Sequence, residues 1–196
     1  MGRPAIISHE HLIAIARDVF QERGIRATTA EVAQRAGISE GALFKRFKTK
    51  GALLRATLAS INEEPPWLPG LAARVGRRTV EAELEELALE FVQFAQVIMP
   101  CVLMAHAGSD DIGTDLWNGQ MPPPVRGIKL LAGYFSSEMR LGRIRTGDAE
   151  IVARCFVGPL MHFVVLDVMH HSQAYLPLAT ETFVRGHIQM LLRGIK

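Results

Sequence analysis

TTAEVAQRAGISEGALFKRFKTK, residues Thr28 to Lys50, is the stretch on which the fold turns. Thr28 and Glu31 stand at capping-box spacing, where each side chain takes a free backbone N–H of the other residue. A short helix follows, with Val32, Ala33 and Ala36 facing inward. Gly37 permits the positive φ that stops it. Ile38 fills the turn, and Ser39 caps a third helix over Glu40–Phe47. Leu43 and Phe47 share one face of that helix, which leaves Glu40, Gly41, Ala42 and Lys45 outward and Phe44 and Arg46 on the flanks. Short helix, glycine turn, short helix is the helix-turn-helix plan. A plain three-helix bundle with a basic surface fits the helix pattern too.

On the N-terminal side, Ser8 caps a first helix whose apolar stripe is Leu12, Ile15/Ala16, Val19 and Phe20, ended by Gly24. On the other side, a fourth helix opens near Lys50, runs through Leu53, Leu54 and Leu58 to Ile61, and must end by Pro65-Pro66. Residues 62–78 read as a linker. An amphipathic helix is expected over Thr79–Met99, with Val80, Leu84, Leu87, Phe91, Phe94 and Ile98 inward and a break or kink at Pro100. Residues 108–113 mark a loop. Another helix follows Pro122-Pro123-Pro124, with Val125, Ile128, Leu131/Ala132, Phe135 and Met139 inward and Gly142 at its end. Asp148 caps a helix running to about His171, kinked at Pro159. A last helix covers Ala179–Arg193. No strand pattern, repeat or low-complexity tract interrupts this reading, so the fold class is all-α.

Charge is unevenly spread. Residues 1–58 hold ten Lys/Arg and five Asp/Glu, and the remainder holds twelve and fifteen. A basic head on a mildly acidic body suits a polyanion-binding module joined to something else, although a small protein reaches such asymmetry by chance as well. Cys101 and Cys155 sit in apolar runs with no CxxC and no His/Cys ligand spacing, so neither a disulfide framework nor a metal site is expected. The N-terminus meets His9, Glu10 and His11 too early for a secretory leader. The apolar run Cys155–Leu166 is shorter than the roughly 18 residues of a membrane span, so a soluble cytoplasmic chain without membrane contact is expected. GxSxG, HExxH, a Gly-rich phosphate loop and a spaced carboxylate pair are all missing, which argues against an enzyme.

Phe20-x3-Gly24, Thr28-Thr29, Val32-Ala33-x2-Ala36-Gly37-Ile38-Ser39, Gly41-Ala42-Leu43-Phe44-x2-Phe47, Lys50 and Leu53-Leu54 together resemble the N-terminal DNA-binding domain of the TetR family. The likeness covers about residues 10–58. A fainter one, Gly142-Arg143-Ile144-Arg145 with Asp148, Ala153 and Gly158, resembles the approach to the long dimerisation helix of such regulators. The resemblance implies a DNA-binding domain over 1–58 and an effector-binding and dimerisation domain over 59–196. It places Thr28, Thr29, Ser39, Glu40, Gly41, Ala42, Phe44, Lys45, Arg46 and Lys50 at the DNA. Thr29 would bond a phosphate or a base edge. Phe44 takes the usual Tyr position without its hydroxyl and is left with a thymine methyl. Arg46 stands where His or Tyr is common, and Lys50 would grip a phosphate. Glu40 has two readings, an acceptor for a cytosine amino group or an acid favoured by the helix dipole.

The resemblance further implies a transcriptional regulator, a repressor released by a small and mostly apolar effector, with no cofactor. Double-stranded DNA with a palindromic operator, a small-molecule effector and a second copy of the chain would be its partners. The pocket candidates are Phe91, Phe94, Met104, Trp117, Phe135, Met139 and His162. Dimer contacts are expected from Phe156, Leu160, Val164, Val165, Val168, Phe183 and Met190. Independently, a helix apolar nearly all round over Phe156–Met169 asks for cover, from a partner or from its own chain. Control by a protein partner or by thiol oxidation is the alternative to a small molecule.

Overall fold

The computed structural model describes residues 7–61, 65, 67–107 and 121–195. Among them are eight α-helices and no strand: α1 (His9–Arg23), α2 (Thr29–Arg35), α3 (Glu40–Phe47), α4 (Lys50–Ile61), α5 (Val80–Ala107), α6 (Pro123–Arg140), α7 (Ala149–His170) and α8 (Thr180–Ile195). The chain divides into two compact units. The first holds residues 1–63 and 97–119, the second residues 64–96 and 120–196. Compared with the expected 1–58 and 59–196, the end of α5 joins the head.

In the first unit the caps are those read from the sequence. Ser8 Oγ accepts from the His11 N–H at 3.1 Å. Thr28 Oγ1 accepts from the Glu31 N–H at 3.1 Å, while Glu31 Oε2 accepts from the Thr28 N–H at 3.0 Å. Ser39 Oγ accepts from the Ala42 N–H at 3.1 Å, and Gly37 sits at φ +66°. Thr28→Ala removes the hydroxyl that accepts from the Glu31 N–H, leaves the residue 28 N–H on the Glu31 carboxylate, and is expected to cost about 1 kcal/mol. Hydrogen exchange at the Glu31 amide, faster in the variant than at the Ala42 amide, checks it.

These helices close on one core of Leu12, Ala16, Val19, Phe20, Val32, Leu43, Phe47, Leu53, Leu54 and Leu58. Burying each large aliphatic chain is worth about 1.5–3 kcal/mol. Cys101 and Met104 complete it, which explains why α5 continues through Pro100, where a break or a kink was expected. The lost backbone bond is offset by burial of the apolar residues beyond the proline. The same burial pushes the Cys101 thiol up to about 11.

In the second unit, part of the expected linker is packed structure. Trp67, Leu68 and Leu71 are buried, a 3-10 turn covers Ala72–Arg74, and the Trp67 and Phe91 rings meet edge-on at 5.8 Å. Residues 62–64 and 66 of that stretch lie outside the described residues, as does the expected loop 108–113. α6 begins at Pro123 as expected but is rotated: Val125 is exposed, while Tyr134 and Glu138 are buried beside Leu131 and Phe135. After α6, Gly142 takes φ +68° and Ile144 is buried. Arg145 then caps α8, its backbone N–H reaching the Ile195 carbonyl at 2.7 Å and its guanidinium the Gly194 carbonyl at 2.7 Å. Pro159 lies inside α7, whose Asp148 cap is in place.

Both α5 (Val80–Met104) and α7 are long and apolar enough to cross a membrane, contrary to the reading of Cys155–Leu166 alone. Half of the α5 stretch is buried, as in a core helix, against 28 % for α7. α7 therefore has apolar surface that the described residues leave uncovered.

Candidate nucleic-acid interface

With Leu43 and Phe47 turned into the core, α3 has one orientation. Glu40, Gly41, Phe44, Lys45 and Arg46 are exposed and Ala42 is half-buried. α2 approaches with Thr29 at its N-terminus, and the Thr29 hydroxyl donates to Glu40 Oε1 at 2.6 Å. This bond joins the first residue of α2 to the first residue of α3 across the turn, and neither reading of Glu40 anticipated it.

Two expected DNA-facing cations are also engaged. Lys50 Nζ donates to the Ala27 carbonyl at 2.6 Å, one residue before the Thr28 cap. Arg46 donates to the Ile7 carbonyl at 2.8 Å. Lys45 is exposed on the outward face. Behind the motif, Arg35 and Glu22 form a paired ion bridge at 2.6–2.7 Å, which ties α2 to α1. The Arg35 guanidinium holds the exposed Glu22 carboxyl below its ordinary range. Glu31 is likewise lowered, by the Thr28 N–H and hydroxyl first and by Arg23 after them.

The body residues fall differently from expectation. Phe156, Leu160 and Val164 are buried within their own unit at 1 % exposure or less, because α7 packs that face on α6. Phe156 meets the Phe135 ring at 6.0 Å. Val165, Val168 and Phe183 are half-buried, His162 is exposed, and Met190 is 73 % exposed. The outward face of α7 instead carries Ile151, Cys155, His162 and Met169, at helical spacing.

Of the pocket candidates, Phe135 is core and Phe91 packs on Trp67. Phe94 and Met139 are half-buried. Met104 belongs to the core of the head, and Trp117 lies outside the described residues. None of the six described candidates lines the groove that the second unit shows beside α6. That open-sided groove has a volume of about 770 Å³ and runs between residues 68–75 and the outward face of α6. Leu68, Leu71, Val75, Leu130, Tyr134 and Leu141 supply apolar walls, Gly133 and Ser137 lie along α6, and Lys129 and Arg140 contribute charge. The sequence carried a signal for this face, a helical repeat of 126, 130, 133, 137 and 141, but nothing in it said that residues 68–75 would form the opposite wall.

Among the described residues no group of three His, Cys, Asp or Glu side chains is placed to hold a metal. A capped helix-turn-helix with small residues and a cation on the exposed side of its second helix defines the class, a DNA-binding module. Residues 12–57 match the family described as bacterial regulatory proteins, tetR family. Over these residues the head is similar to TetR-family DNA-binding domains, and the chain has the fold of solved TetR-family transcriptional regulators.

Solved structures extend the likeness to nearly the whole chain. A TetR/AcrR-family transcriptional regulator from Thermobifida fusca is 18 % identical, with 94 % of this chain and 96 % of that one covered and a TM-score of 0.68. The transcriptional regulator FadR from Bacillus subtilis, solved with stearoyl-CoA, is 15 % identical over 96 % and 100 %, at 0.69. PfmR, a TetR-family regulator from Thermus thermophilus, is 17 % identical over 94 % and 98 %, at 0.64. A comparison with curated proteins found no match.

Proposed function

We propose that this protein is a cytoplasmic, dimeric repressor that binds a palindromic operator and is released by a small, mostly apolar effector. The observation that carries the DNA-binding part is the outward face of α3: Gly41, Phe44 and Lys45 are exposed and Ala42 is half-buried between them, at the spacing of a recognition helix. One such helix reads only a few base pairs. A two-fold pair places two of them about one turn of DNA apart, roughly 34 Å. The uncovered apolar face of α7, with Met190 of α8, favours a second copy as the cover.

The groove beside α6 supports the effector. Its volume falls within the roughly 300–1,000 Å³ of small-molecule sites, and its apolar walls with nearby Lys129 and Arg140 suit an apolar body bearing an acidic group. The stearoyl-CoA bound by the Bacillus subtilis regulator of like fold is a molecule of that kind. An effector that binds better to the splayed pair of heads weakens operator affinity by the same coupling energy.

The test is binding to duplex DNA from the region upstream of the protein's own gene, against a scrambled duplex, across a salt series. Selective binding with a steep salt slope is expected. Equal, weak binding to both duplexes would reject the reading. Lys50→Ala gives a finer prediction. Lys50 uses one of its three ammonium donors on Ala27 and keeps others for a phosphate. The variant should bind all sequences more weakly, with the salt slope flattened by about one unit.

A further inference from the structure

The Thr29–Glu40 bond changes the role of both residues. A threonine hydroxyl has one proton to donate, and Thr29 gives it to Glu40 Oε1 at 2.6 Å, the length of a charge-assisted bond. While that bond stands, Thr29 has no proton for a phosphate. Glu40 as a carboxylate only accepts. Phosphates repel it, and so do the major-groove acceptors of guanine and the O4 of thymine, whereas the N4 amino group of cytosine is a donor that an acidic side chain accepts from.

A second observation concerns the neighbouring residue. Gly41 lies inside α3, where glycine costs about 1 kcal/mol against alanine. Its φ is not positive, and an added Cβ would meet only Ser39 Oγ, at an ordinary 3.9 Å. Nothing among the described residues calls for glycine there. A surface pressed against the exposed side of the helix does, right beside Glu40.

We propose that Thr29 and Glu40 form a base-reading pair: Glu40 accepts from the amino group of a cytosine in each operator half-site, and Thr29 is the positioning residue that holds the carboxylate there. This rests on the reading that α3 enters the major groove, where the N-terminal residues of a recognition helix meet base edges. Phe44 and Lys45 lie about one turn further along α3 and read the neighbouring base pairs, a thymine methyl and a guanine edge suiting their chemistry.

The experiment measures binding of the wild type and of Glu40→Ala, Thr29→Val and Thr29→Ser to a set of operator duplexes in which every half-site position is varied through all four bases. The wild type is expected to prefer cytosine at one position per half-site by about ten-fold or more. Glu40→Ala should erase that preference and leave the other positions alone. Thr29→Val should weaken it at the same position, and Thr29→Ser, which keeps the hydroxyl, should retain it. If Glu40→Ala tightens binding to every duplex equally, Glu40 is only a repulsive acid and the proposal falls. It falls as well if Thr29→Val weakens all duplexes equally, as loss of a backbone anchor would. A wild type without preference at any position removes the DNA-reading function itself, an outcome distinct from either of these.

Discussion

Glu83→Ala is expected to destabilise the protein by about 3 kcal/mol, in line with removing one partner of a buried ion cluster. Glu83 has no exposed surface. Its carboxylate accepts from Arg77 at 2.9 and 3.1 Å and from Arg78 at 2.8 Å, with Arg74 at 3.8 Å. Arg77 and Arg78 remain partly in water, which softens the loss, whereas Arg74 is largely buried and among the described residues keeps Glu86 and Glu90 as partners. For a chain of this size the loss corresponds to a drop in Tm of about 10 °C.

Acidity should reproduce part of the effect. Burial alone would raise the Glu83 carboxyl, but the guanidiniums of Arg77 and Arg78 outweigh it and bring it down to about 2. The unfolded chain, with an ordinary carboxylate, then binds a proton that the native state does not. The contribution of Glu83 is therefore complete above the ordinary carboxylate value and is lost progressively as pH falls toward about 2. Thermal melts at neutral pH and at about pH 3 should show the gap between wild type and variant narrowing at the lower pH. A gap that stays constant would mean that the charge of Glu83 is not what stabilises the fold.

The second large effect is expected from Val165→Glu. If two copies pair through α7 and α8, a carboxylate at this half-buried position is driven into an apolar interface with no cation opposite, a cost the dimer avoids by dissociating. Operator affinity should fall by about 100-fold or more, because two linked heads bind far better than one, and the mass in solution should halve. Cys155 provides an independent check. It is exposed on the outward face of α7 while Cys101 is buried, so a short bis-maleimide should join two wild-type chains through Cys155 and fail to join the Val165→Glu chains. An unchanged mass with unchanged cross-linking would place the interface elsewhere.

Much of the head was legible in the residue order because its signals are local. A cap is a bond between residues two or three apart, so Ser8, Thr28 with Glu31, and Ser39 announce their helices without reference to anything distant. Gly37 and Gly24 end helices through their own backbone freedom. The period of the apolar residues then leaves one face of each short helix for the core, and with it the outward face of α3.

Folding in three dimensions decided what depends on partners far along the chain. Pro100 reads as a break or a kink until Cys101 and Met104 have a core to enter. Phe156, Leu160 and Val164 were expected at the interface from the resemblance, and a helix apolar nearly all round over Phe156–Met169 does not say which side turns inward. Only the packing of α6 selects them for the interior and leaves Ile151, Cys155 and Met169 outside. Glu138 is buried where the Gly76 N–H, from well before α6 in the chain, donates to its carboxylate at 3.0 Å. Thr29 and Lys50 carry the right chemistry for phosphates, yet the Thr29 proton goes to Glu40 and one of the Lys50 donors to the Ala27 carbonyl. Spacing along a chain determines which groups share a helix face. Which donor meets which acceptor is set by distances that exist only once the helices have packed.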